Sequence, residues 1–314
     1  MISIERYTPD MQPQWDELVA NSRNATFLHL RDYMDYHADR FADFSLMARN
    51  DHGRLLAVLP ACIEGHTLYS HRGLTYGGWL MPQRRCDALD MLEIWDAMTA
   101  FLRENGVKTL IYKPVPHIYH SYPAEEDIYA LWRAGGQLHT TLVSTVVDLR
   151  RPLPFDQGLR QRARRAAALE NVTYSESTDY ASFWQILTTL LRTRFNSAPV
   201  HSLAEIELLH SRFPRNIRLF TASEGGQLLA GIVVYVCGRA AHSQYTAATD
   251  RGKELSVVHA LYQHIMESLR SEIDYFDFGT SNEAAGREVN PGLLRQKCSY
   301  GGRAIVYNSF KITI

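Results

Sequence analysis

The chain has 314 residues, 46% of them hydrophobic, and this length predicts about two domains, each with its own core. The 33 Lys and Arg residues balance 34 Asp and Glu residues, and the net charge of −1 excludes a protein that binds duplex nucleic acid over most of its surface. We expect a reduced, cytoplasmic protein without an integral membrane segment. The N-terminus lacks a signal-peptide pattern, and the four cysteines form no Cys-x-x-Cys pair.

The N-terminal half begins its regular pattern with two strand-like runs around a polar turn that contains Gly53. Apolar periodicity predicts the following elements after this turn: strands at 67–70 and 73–80, a helix at 87–104, and strands at 109–112 and 142–149. Pro152 and Pro154 then interrupt regular structure. We therefore place a domain boundary after Arg150.

The C-terminal half repeats this order of elements. The turn residues Gly53, Leu55, Leu56 and Ala57 recur 173 positions later as Gly226, Leu228, Leu229 and Ala230. A strand at 240–247, a helix at 255–271 and a strand at 275–278 follow. Chance similarity is the alternative to duplication, but the order of elements agrees as well as the turn.

Each half thus predicts an antiparallel meander, a helix, and a strand that returns parallel into the sheet. The predicted fold class is α+β (mixed α/β). It has two tandem domains, 1–150 and 151–314, each a mixed and mostly antiparallel sheet flanked by helices. We expect the last strand to be able to pack back on the first domain.

The first half carries a candidate acceptor-binding loop. Two glycines follow Tyr76 and permit close approach of a ligand, and a proline-rich segment carries Lys113 and His117. His117 and His120 lie three residues apart, but no further ligands stand at a zinc-binding spacing, so we expect no metal.

An arginine-rich segment follows the boundary between the halves. Six arginines against two acidic residues between Arg150 and Glu170 give this segment a local charge of +4. Helical spacing puts Arg160 and Arg164 on one side, where they are candidates to bind phosphates. A solvated helix face is the alternative.

Two further candidate groups follow in chain order. Pro199 ends a helix, and the turn around it presents Arg194 and His201 together, near the start of a next helix that Ser202 caps. His201 is a candidate to accept a proton from an amine, with a plain surface role as the alternative, and Arg194 is a candidate substrate ligand.

Strand alternation in the run 240–247 predicts His242, Gln244 and Thr246 on one face and Ser243 and Tyr245 on the other. Gln244 and Tyr245 are candidate ligand contacts, although a tyrosine that only packs in the sheet is an equal alternative. In the segment after this strand, Arg251 and Lys253 are candidates to bind phosphates.

The strand 275–278 delivers an Asp-Phe-Gly sequence into a polar loop, at a sheet end where ligand sites of mixed sheets tend to lie. The candidate residues of this strand and loop are Asp277, Ser281, Asn282, Glu283 and Asn290. Lys297 follows and can offer a cation to a phosphate or a developing oxyanion.

In these features the chain resembles the FemAB-like acyltransferases, which are tandem proteins of the GNAT fold. The resemblance rests on Asp277-Phe278-Gly279, on the segment from Gly292 to Lys297, and on the arginine-rich helix. It implies acyl or aminoacyl transfer to an amine, often on a cell-envelope precursor, and matches Lys297 to a lysine that contacts substrate or stabilises the transition state. It also implies that Gln244 or Tyr245 hydrogen-bonds the acyl donor.

We therefore predict a cytoplasmic N-acyltransferase that moves an acetyl, acyl or aminoacyl group to an amine by direct displacement. Lys297 would hold phosphate or oxyanion charge, Tyr245 would protonate the leaving group, and His201 or Glu283 would accept the amine proton.

The pyrophosphate-binding signature of CoA-dependent GNAT enzymes, Arg/Gln-x-x-Gly-x-Gly/Ala, is missing at residues 248–255. Acyl-CoA therefore stays open as the co-substrate beside charged tRNA, which the neutral net charge disfavours. The alternatives to a CoA-dependent enzyme are a tRNA-dependent aminoacyltransferase and a non-catalytic binding protein for a nucleotide or envelope precursor.

Overall fold

The computed structural model describes residues 1–194 and 196–314 with their side chains. The chain divides into two compact units, one of Met1–Leu142 with Val306–Ile314 and one of Val143–Ile305. The first unit thus contains both ends of the chain. The change of unit after Leu142 precedes the predicted boundary after Arg150, because it falls inside a long strand, Gln137–Asp148, and not in the proline-rich loop.

The strands are, in chain order, β1 (Ser3–Arg6), β2 (Leu46–Arg49), β3 (Leu55–Leu59), β4 (Cys62–Glu64), β5 (Thr67–Tyr69), β6 (Thr109–Tyr112), β7 (Gln137–Asp148), β8 (Val172–Ser177), β9 (Ile217–Glu224), β10 (Gln227–Cys237), β11 (Ala240–Ala248), β12 (Tyr275–Thr280), β13 (Asn282–Glu283), β14 (Glu288–Val289) and β15 (Arg303–Thr313). The helices are α1 (Gln12–Ala20), α2 (Arg31–Met34), α3 (Ala88–Glu104), α4 (Glu126–Arg133), α5 (Gln157–Ala167), α6 (Tyr180–Phe195), α7 (Leu203–Arg212), α8 (Asp250–Glu254), α9 (Val257–Ser268) and α10 (Pro291–Cys298). Short 3-10 helices cover Pro9–Met11, Phe27–His29, Asp35–His37, His117–Tyr119 and Ala284–Gly286.

In the first unit, β1, β2 and β3 form one antiparallel sheet. In the second sheet, β5 pairs antiparallel with β4 and parallel with β6, and β6 pairs antiparallel with β15. Apolar residues of α3 at helical spacing, among them Ile94, Trp95 and Met98, are fully buried in a core shared by both sheets. The helix predicted at 87–104 and the strands predicted at 67–70 and 109–112 are therefore present.

The prediction of a strand at 73–80 is wrong, because this stretch is irregular and makes only isolated bridges in the described structure. Gly77 lies so close to Ser70 that an added Cβ would stand 2.4 Å from the Ser70 carbonyl oxygen. The stretch therefore packs by close backbone approach instead of by continuous pairing.

In the second unit, the strand order is β7-β12-β11-β10-β9-β8, and its pairs are antiparallel except β11 with β12. The predicted parallel return of the strand after the second helix is thereby confirmed, as is the mixed, mostly antiparallel fold class. Helices cover both faces of this sheet: Ala230 and Ile232 pack in the core with α9, whereas Gly231 between them contacts Phe183 of α6.

A β-bulge interrupts β11. The register between β10 and β11 pairs Val233 with Tyr245 and Val234 with Ser243, so Gln244 is an extra residue without a partner position. The hydroxyls of Ser243 and Thr246 both contact the Tyr262 hydroxyl of α9, at 3.0 and 2.7 Å. The predicted alternation, which put these two residues on opposite faces, is therefore wrong.

The two parallel strands separate after a short paired stretch. Within the described residues, the pairing of β11 with β12 ends at His242 and Asp277, and β12 shifts its register against β7 between Asp277 and Thr280. A gap between two diverging strands therefore begins at these two residues, on the sheet face away from α9.

No helix of the described residues combines the length and the apolar character that spanning a bilayer requires.

Candidate active site

A carboxylate and an imidazole meet where β11 and β12 separate. Asp277 has no exposed surface, and its carboxylate accepts hydrogen bonds from the Ser144 hydroxyl, from the Gly279 N–H at 2.9 Å and from His242 Nδ1 at 2.8 Å. Because an ionised carboxylate only accepts, His242 Nδ1 carries a proton and a neutral ring has its basic nitrogen at Nε2. The His242 side chain is 18% exposed, so part of the ring is open to solvent.

The local sequence explains why Asp277 points towards His242. Phe276 and Phe278 both pack against Tyr262 of α9, with ring centroids 5.9 and 4.9 Å from the Tyr262 ring. The residue between them must then face the other side of the sheet. Gly279 has a φ of +77°, and a Cβ there would lie 3.0 Å from Cε1 of His242. A glycine at this position therefore leaves room for the imidazole.

Lys297 closes the end of β12. It lies in α10, whose first turn is capped by Asn290 through its side-chain oxygen and the Leu293 N–H, 2.9 Å apart. Lys297 Nζ donates to the carbonyl oxygens of Gly279 and Thr280, at 2.9 and 2.7 Å. Burial lowers the pKa of Lys297 to about 8, against the opposing effect of the Asp277 charge. The site thus holds a partly desolvated ammonium beside the Asp277 and His242 pair.

Two of the predicted catalytic residues, His201 and Tyr245, contact each other directly. Nδ1 of the buried His201 lies 2.5 Å from the Tyr245 hydroxyl, and the His201 backbone N–H donates to the same hydroxyl at 3.3 Å. Trp184 of α6 fixes this pair, because its Nε1 donates to the His201 carbonyl oxygen and its ring packs edge-on against Tyr245. Burial raises the pKa of the Tyr245 hydroxyl. The bulge at Gln244 places Tyr245 on the same sheet face as His242.

Four other predicted residues lie in the loop after β12 and form hydrogen bonds that hold this loop. Asn282 accepts from the Val143 N–H at 2.6 Å, and Asn290 donates to the Glu283 carboxylate at 2.9 Å. Ser281 is buried, and its backbone N–H donates to the Val143 carbonyl oxygen. Glu283 is exposed on the short hairpin of β13 and β14. The carboxylate that contacts His242 is Asp277, and Glu283 pairs with Asn290 instead.

The remaining candidates of β11 and the following turn lie at the surface or are already paired. Gln244 is half-buried in the bulge, and Arg194 is exposed near the end of α6. Arg251 forms an ion pair with Glu224 at 3.2 Å, and Lys253 forms one with Asp250 at 2.7 Å.

Gly252, between Arg251 and Lys253, serves packing. An added Cβ at this residue would stand 2.5 Å from the Leu229 carbonyl oxygen, so the glycine lets α8 approach β10.

Arg160 and Arg164 are on α5 and line a separate cavity with residues from the C-terminal part of α9. Arg251 and Lys253, in contrast, lie on α8, before the N-terminus of α9. The four predicted phosphate ligands therefore form two groups.

In the first unit, the predicted acceptor ligands are not gathered at one surface. Tyr76 is 2% exposed and packs against the Tyr119 ring, with centroids 4.7 Å apart, whereas His117 is exposed. Lys113 Nζ donates to the Leu74 carbonyl oxygen at 2.8 Å, and burial lowers its pKa to about 8. Their role in binding an acceptor stays a prediction.

The residues that the structure describes contain no group of three or more His, Cys, Asp or Glu side chains arranged to hold a metal ion.

Two residues of the site, His242 and Ser144, were missed by sequence reasoning. One feature of the sequence could have pointed to His242. Asp277 is a carboxylate between two phenylalanines, and its strand is predicted to run parallel to the strand that carries His242. The register that aligns these two residues is a tertiary feature and has no local pattern.

Comparisons with known proteins bear on the same region. Residues 155–285 match the family described as Acetyltransferase (GNAT) domain, and no curated protein matches the chain by sequence. Among solved structures, the chain is similar to FemX, with 11% identity, a TM-score of 0.70, and coverage of 99% of this chain and 97% of that one.

The chain is also similar to L-PGS from Bacillus licheniformis, with 12% identity, a TM-score of 0.58, and coverage of 98% of this chain and 92% of that one. A tandem GNAT protein from the clavulanic acid biosynthesis pathway shares 13% identity, with a TM-score of 0.54 and coverage of 100% and 98% of the two chains. At these identities the similarity shows a common fold.

Proposed function

We propose that this chain is a FemAB-like GNAT acyltransferase, because residues 155–285 match the GNAT domain family and the chain has a fold similar to that of FemX. We propose that the protein transfers an acyl or aminoacyl group from an activated donor to an amine, at the gap between β11 and β12. The observation that carries this proposal is the Asp277 and His242 pair at the point where the two strands part, beside Lys297.

In the proposed reaction, the amine nitrogen attacks the carbonyl carbon of the donor ester or thioester. A C–N bond forms, the C–O or C–S bond breaks, and the amine proton moves to His242 Nε2. The Asp277 carboxylate holds the ring with this nitrogen unprotonated and stabilises the imidazolium that results. The attacking nitrogen, which enters as the neutral amine, thus loses its one surplus proton to His242 and leaves as a neutral amide.

The Lys297 ammonium stabilises the negative charge that develops on the donor carbonyl oxygen, and its partial burial strengthens this interaction. Tyr245 gives its proton to the departing thiolate or alkoxide. Because His201 Nδ1 is engaged by the Tyr245 hydroxyl, we propose that His201 positions this tyrosine and is not the base for the amine. Glu283 is exposed and pairs with Asn290, which also favours His242 as the base.

The rest of the binding assignment follows the sequence prediction and is equally a proposal. GNAT domains typically use acyl-CoA, which makes it the first donor to test; Arg251 and Lys253 are then the candidate phosphate ligands. Candidate substrate ligands near the gap and in the first unit are Arg194, Gln244, Ser281, Asn282, Asn290, Tyr76, Lys113 and His117. We propose an amino sugar or a cell-envelope precursor as the acceptor class.

The test is a transfer assay read by mass spectrometry, with acyl-CoA thioesters and aminoacyl-tRNA as donors and a panel of amino sugars and small amines as acceptors. We expect a product that carries the donor's acyl group, and loss of at least about a hundredfold in rate for His242→Gln. The matched control is His264→Gln on α9, whose side chain packs near the Tyr174 ring, and this variant should keep its activity.

The outcomes separate the candidate functions. Transfer from charged tRNA with a steep salt dependence of binding would favour the tRNA-dependent enzyme. Saturable binding of a donor, with no transfer to any acceptor and no effect of His242→Gln, would favour a non-catalytic binding protein. No binding and no transfer from either donor class would refute the proposed function.

A further inference from the structure

A cavity lies in the unit of residues 143–305, and none of the proposed catalytic residues lines it. Its volume is about 260 Å³, and it is bounded by the loop after β7, by α5 and by the C-terminal part of α9. Its walls include apolar side chains from the loop after β7, from α9 and from the turn after α10, among them Leu149, Phe155, Met266 and Tyr300, whereas α5 contributes two arginines. The cavity is thus a pocket with an apolar interior, somewhat smaller than the ~300–1,000 Å³ of sites that enclose a whole drug-sized ligand.

Three arginines, Arg160, Arg164 and Arg270, line the same cavity and are exposed. In the part of the chain that the structure describes, none of their guanidinium groups forms an ion pair or a hydrogen bond. The acidic residue of the lining, Glu267, accepts a hydrogen bond from Gln263 at 2.8 Å. The cavity therefore carries an excess of two positive charges.

Other arginines of the unit are paired with carboxylates. Arg218 pairs with Glu176 and Arg239 with Asp274, each at about hydrogen-bond distance, whereas none of the three arginines around the cavity has such a partner among the described residues. Holding three unpaired guanidinium groups around one pocket costs electrostatic repulsion, which a bound anion would relieve. Guanidinium groups also match phosphate oxygens with paired hydrogen bonds.

The backbone holds these arginines in place. Leu159, Ala163 and Ala166 are the buried face of α5 and pack it against α9, so Arg160 and Arg164, one turn apart, project from a fixed helix. The proline-rich loop, Pro152 to Pro154, forms the facing wall. The charged groups and the apolar interior are therefore adjacent in a preformed site.

We propose that this cavity binds a phosphate ester with an apolar chain: the chain enters the pocket, and Arg160, Arg164 and Arg270 hold the phosphate. The ligand class is a phosphorylated amphiphile, either a lipid of a membrane surface or a soluble phosphate ester. This site is distinct from the gap between β11 and β12 and does not depend on the proposed transfer reaction.

The test is isothermal titration of the full chain with dihexanoyl phosphatidic acid, below its micelle concentration, with dihexanoyl phosphatidylcholine and inorganic phosphate as reference ligands. We expect saturable binding of the phosphatidic acid, about tenfold or more tighter than that of either reference, because only it offers both an unshielded phosphate monoester and an apolar chain. Binding should weaken about tenfold or more in the double variant Arg160→Ala, Arg164→Ala, and also in Arg270→Ala.

The matched control is Arg165→Ala, an exposed arginine of the same helix that does not line the cavity, and its affinity should stay within about twofold. Circular dichroism of each variant confirms its fold. Co-sedimentation with phosphatidylcholine vesicles that contain phosphatidic acid distinguishes the source of the ligand: sedimentation that the double variant abolishes assigns a membrane lipid, and binding of the short-chain compound alone assigns a soluble ester.

Three results would overturn the proposal. These are no saturable binding of dihexanoyl phosphatidic acid, equal binding of inorganic phosphate, and equal weakening in Arg165→Ala and in the double variant.

Discussion

The substitution Asp277→Asn tests the central arrangement of the site, because it changes hydrogen-bond polarity with almost no change in shape. One carboxylate oxygen of Asp277 accepts from two donors, the Ser144 hydroxyl and the Gly279 N–H. In the variant, the amide oxygen must take this position, so the amide NH₂ faces His242 Nδ1. An NH₂ group only donates, and therefore His242 must accept at Nδ1 and carry its proton at Nε2.

The expected loss follows from this reversed tautomer. Nε2 can no longer take the amine proton, and we expect kcat/KM to fall by a factor of about 10²–10⁴, the range for losing a general base or its correct tautomer. Loss of a charge-assisted hydrogen bond should also cost about 1–3 kcal/mol of unfolding free energy, which leaves most of the protein folded. The control is Asp274→Asn, which removes a half-exposed ion pair with Arg239 just before β12. We expect this substitution to have little effect on activity.

Two measurements check this reasoning. Steady-state transfer kinetics give kcat/KM, and ¹⁵N NMR of the histidine rings reports which nitrogen of His242 is protonated, with His242→Gln used to assign its signals. We expect the Nδ1–H tautomer in the native protein and the Nε2–H tautomer in Asp277→Asn. A variant with near-native kcat/KM, or with an unchanged tautomer, would refute the proposed role of Asp277.

Four further predictions concern other groups. If the Lys297 ammonium is required, kcat/KM should fall as pH rises through about 8, the lowered pKa of this lysine, and Lys297→Arg should move that decline to higher pH; an unmoved decline would assign it to another group. Tyr245→Phe should lower kcat more than it raises KM, and should recover with donors that have better leaving groups, whereas equal losses for all donors would contradict leaving-group protonation. Gly279→Ala combines a positive φ with a contact to His242, so it should reduce activity and lower the unfolding free energy by about 1–3 kcal/mol in a denaturant titration. Burial raises the pKa of Asp127 to about 7, so its stabilising contribution is complete at low pH and is lost as pH rises from about 4 through 7; the melting temperature of Asp127→Asn should therefore decline less between pH 5 and 8 than that of the native chain, and parallel curves would contradict this.

Local patterns predicted many of the elements. Apolar residues at helical spacing identified α3, and the helix predicted at 255–271 corresponds to α9 at Val257–Ser268. Ser202 caps α7 as predicted, through its hydroxyl and the Glu205 N–H. Gly53 and Gly226 both have positive φ in the turns where the repeat placed them. Such features depend on residues that lie close together in the chain, so the sequence is sufficient to predict them.

The arrangement of the candidate active site depends on contacts between residues that are distant in the chain. A single extra residue, Gln244, reverses the alternation of β11 and puts Tyr245 on the face of His242, and nothing in the local sequence marks that bulge. The pairing of His242 with Asp277 depends on the register of two strands that lie 35 positions apart in the chain. Residue types alone therefore predicted Asp277, Tyr245, His201 and Lys297 as separate candidates.

The sequence by itself determined the order of the main elements and the predicted two-part organisation, and it named Asp277, Tyr245, His201 and Lys297 as candidate residues. Only the tertiary structure decided which of these residues touch, and it added His242 to them. The physical reason is that helices, caps and turns are stabilised by neighbours within a few residues, whereas strand register and bulges are selected by packing across the whole sheet.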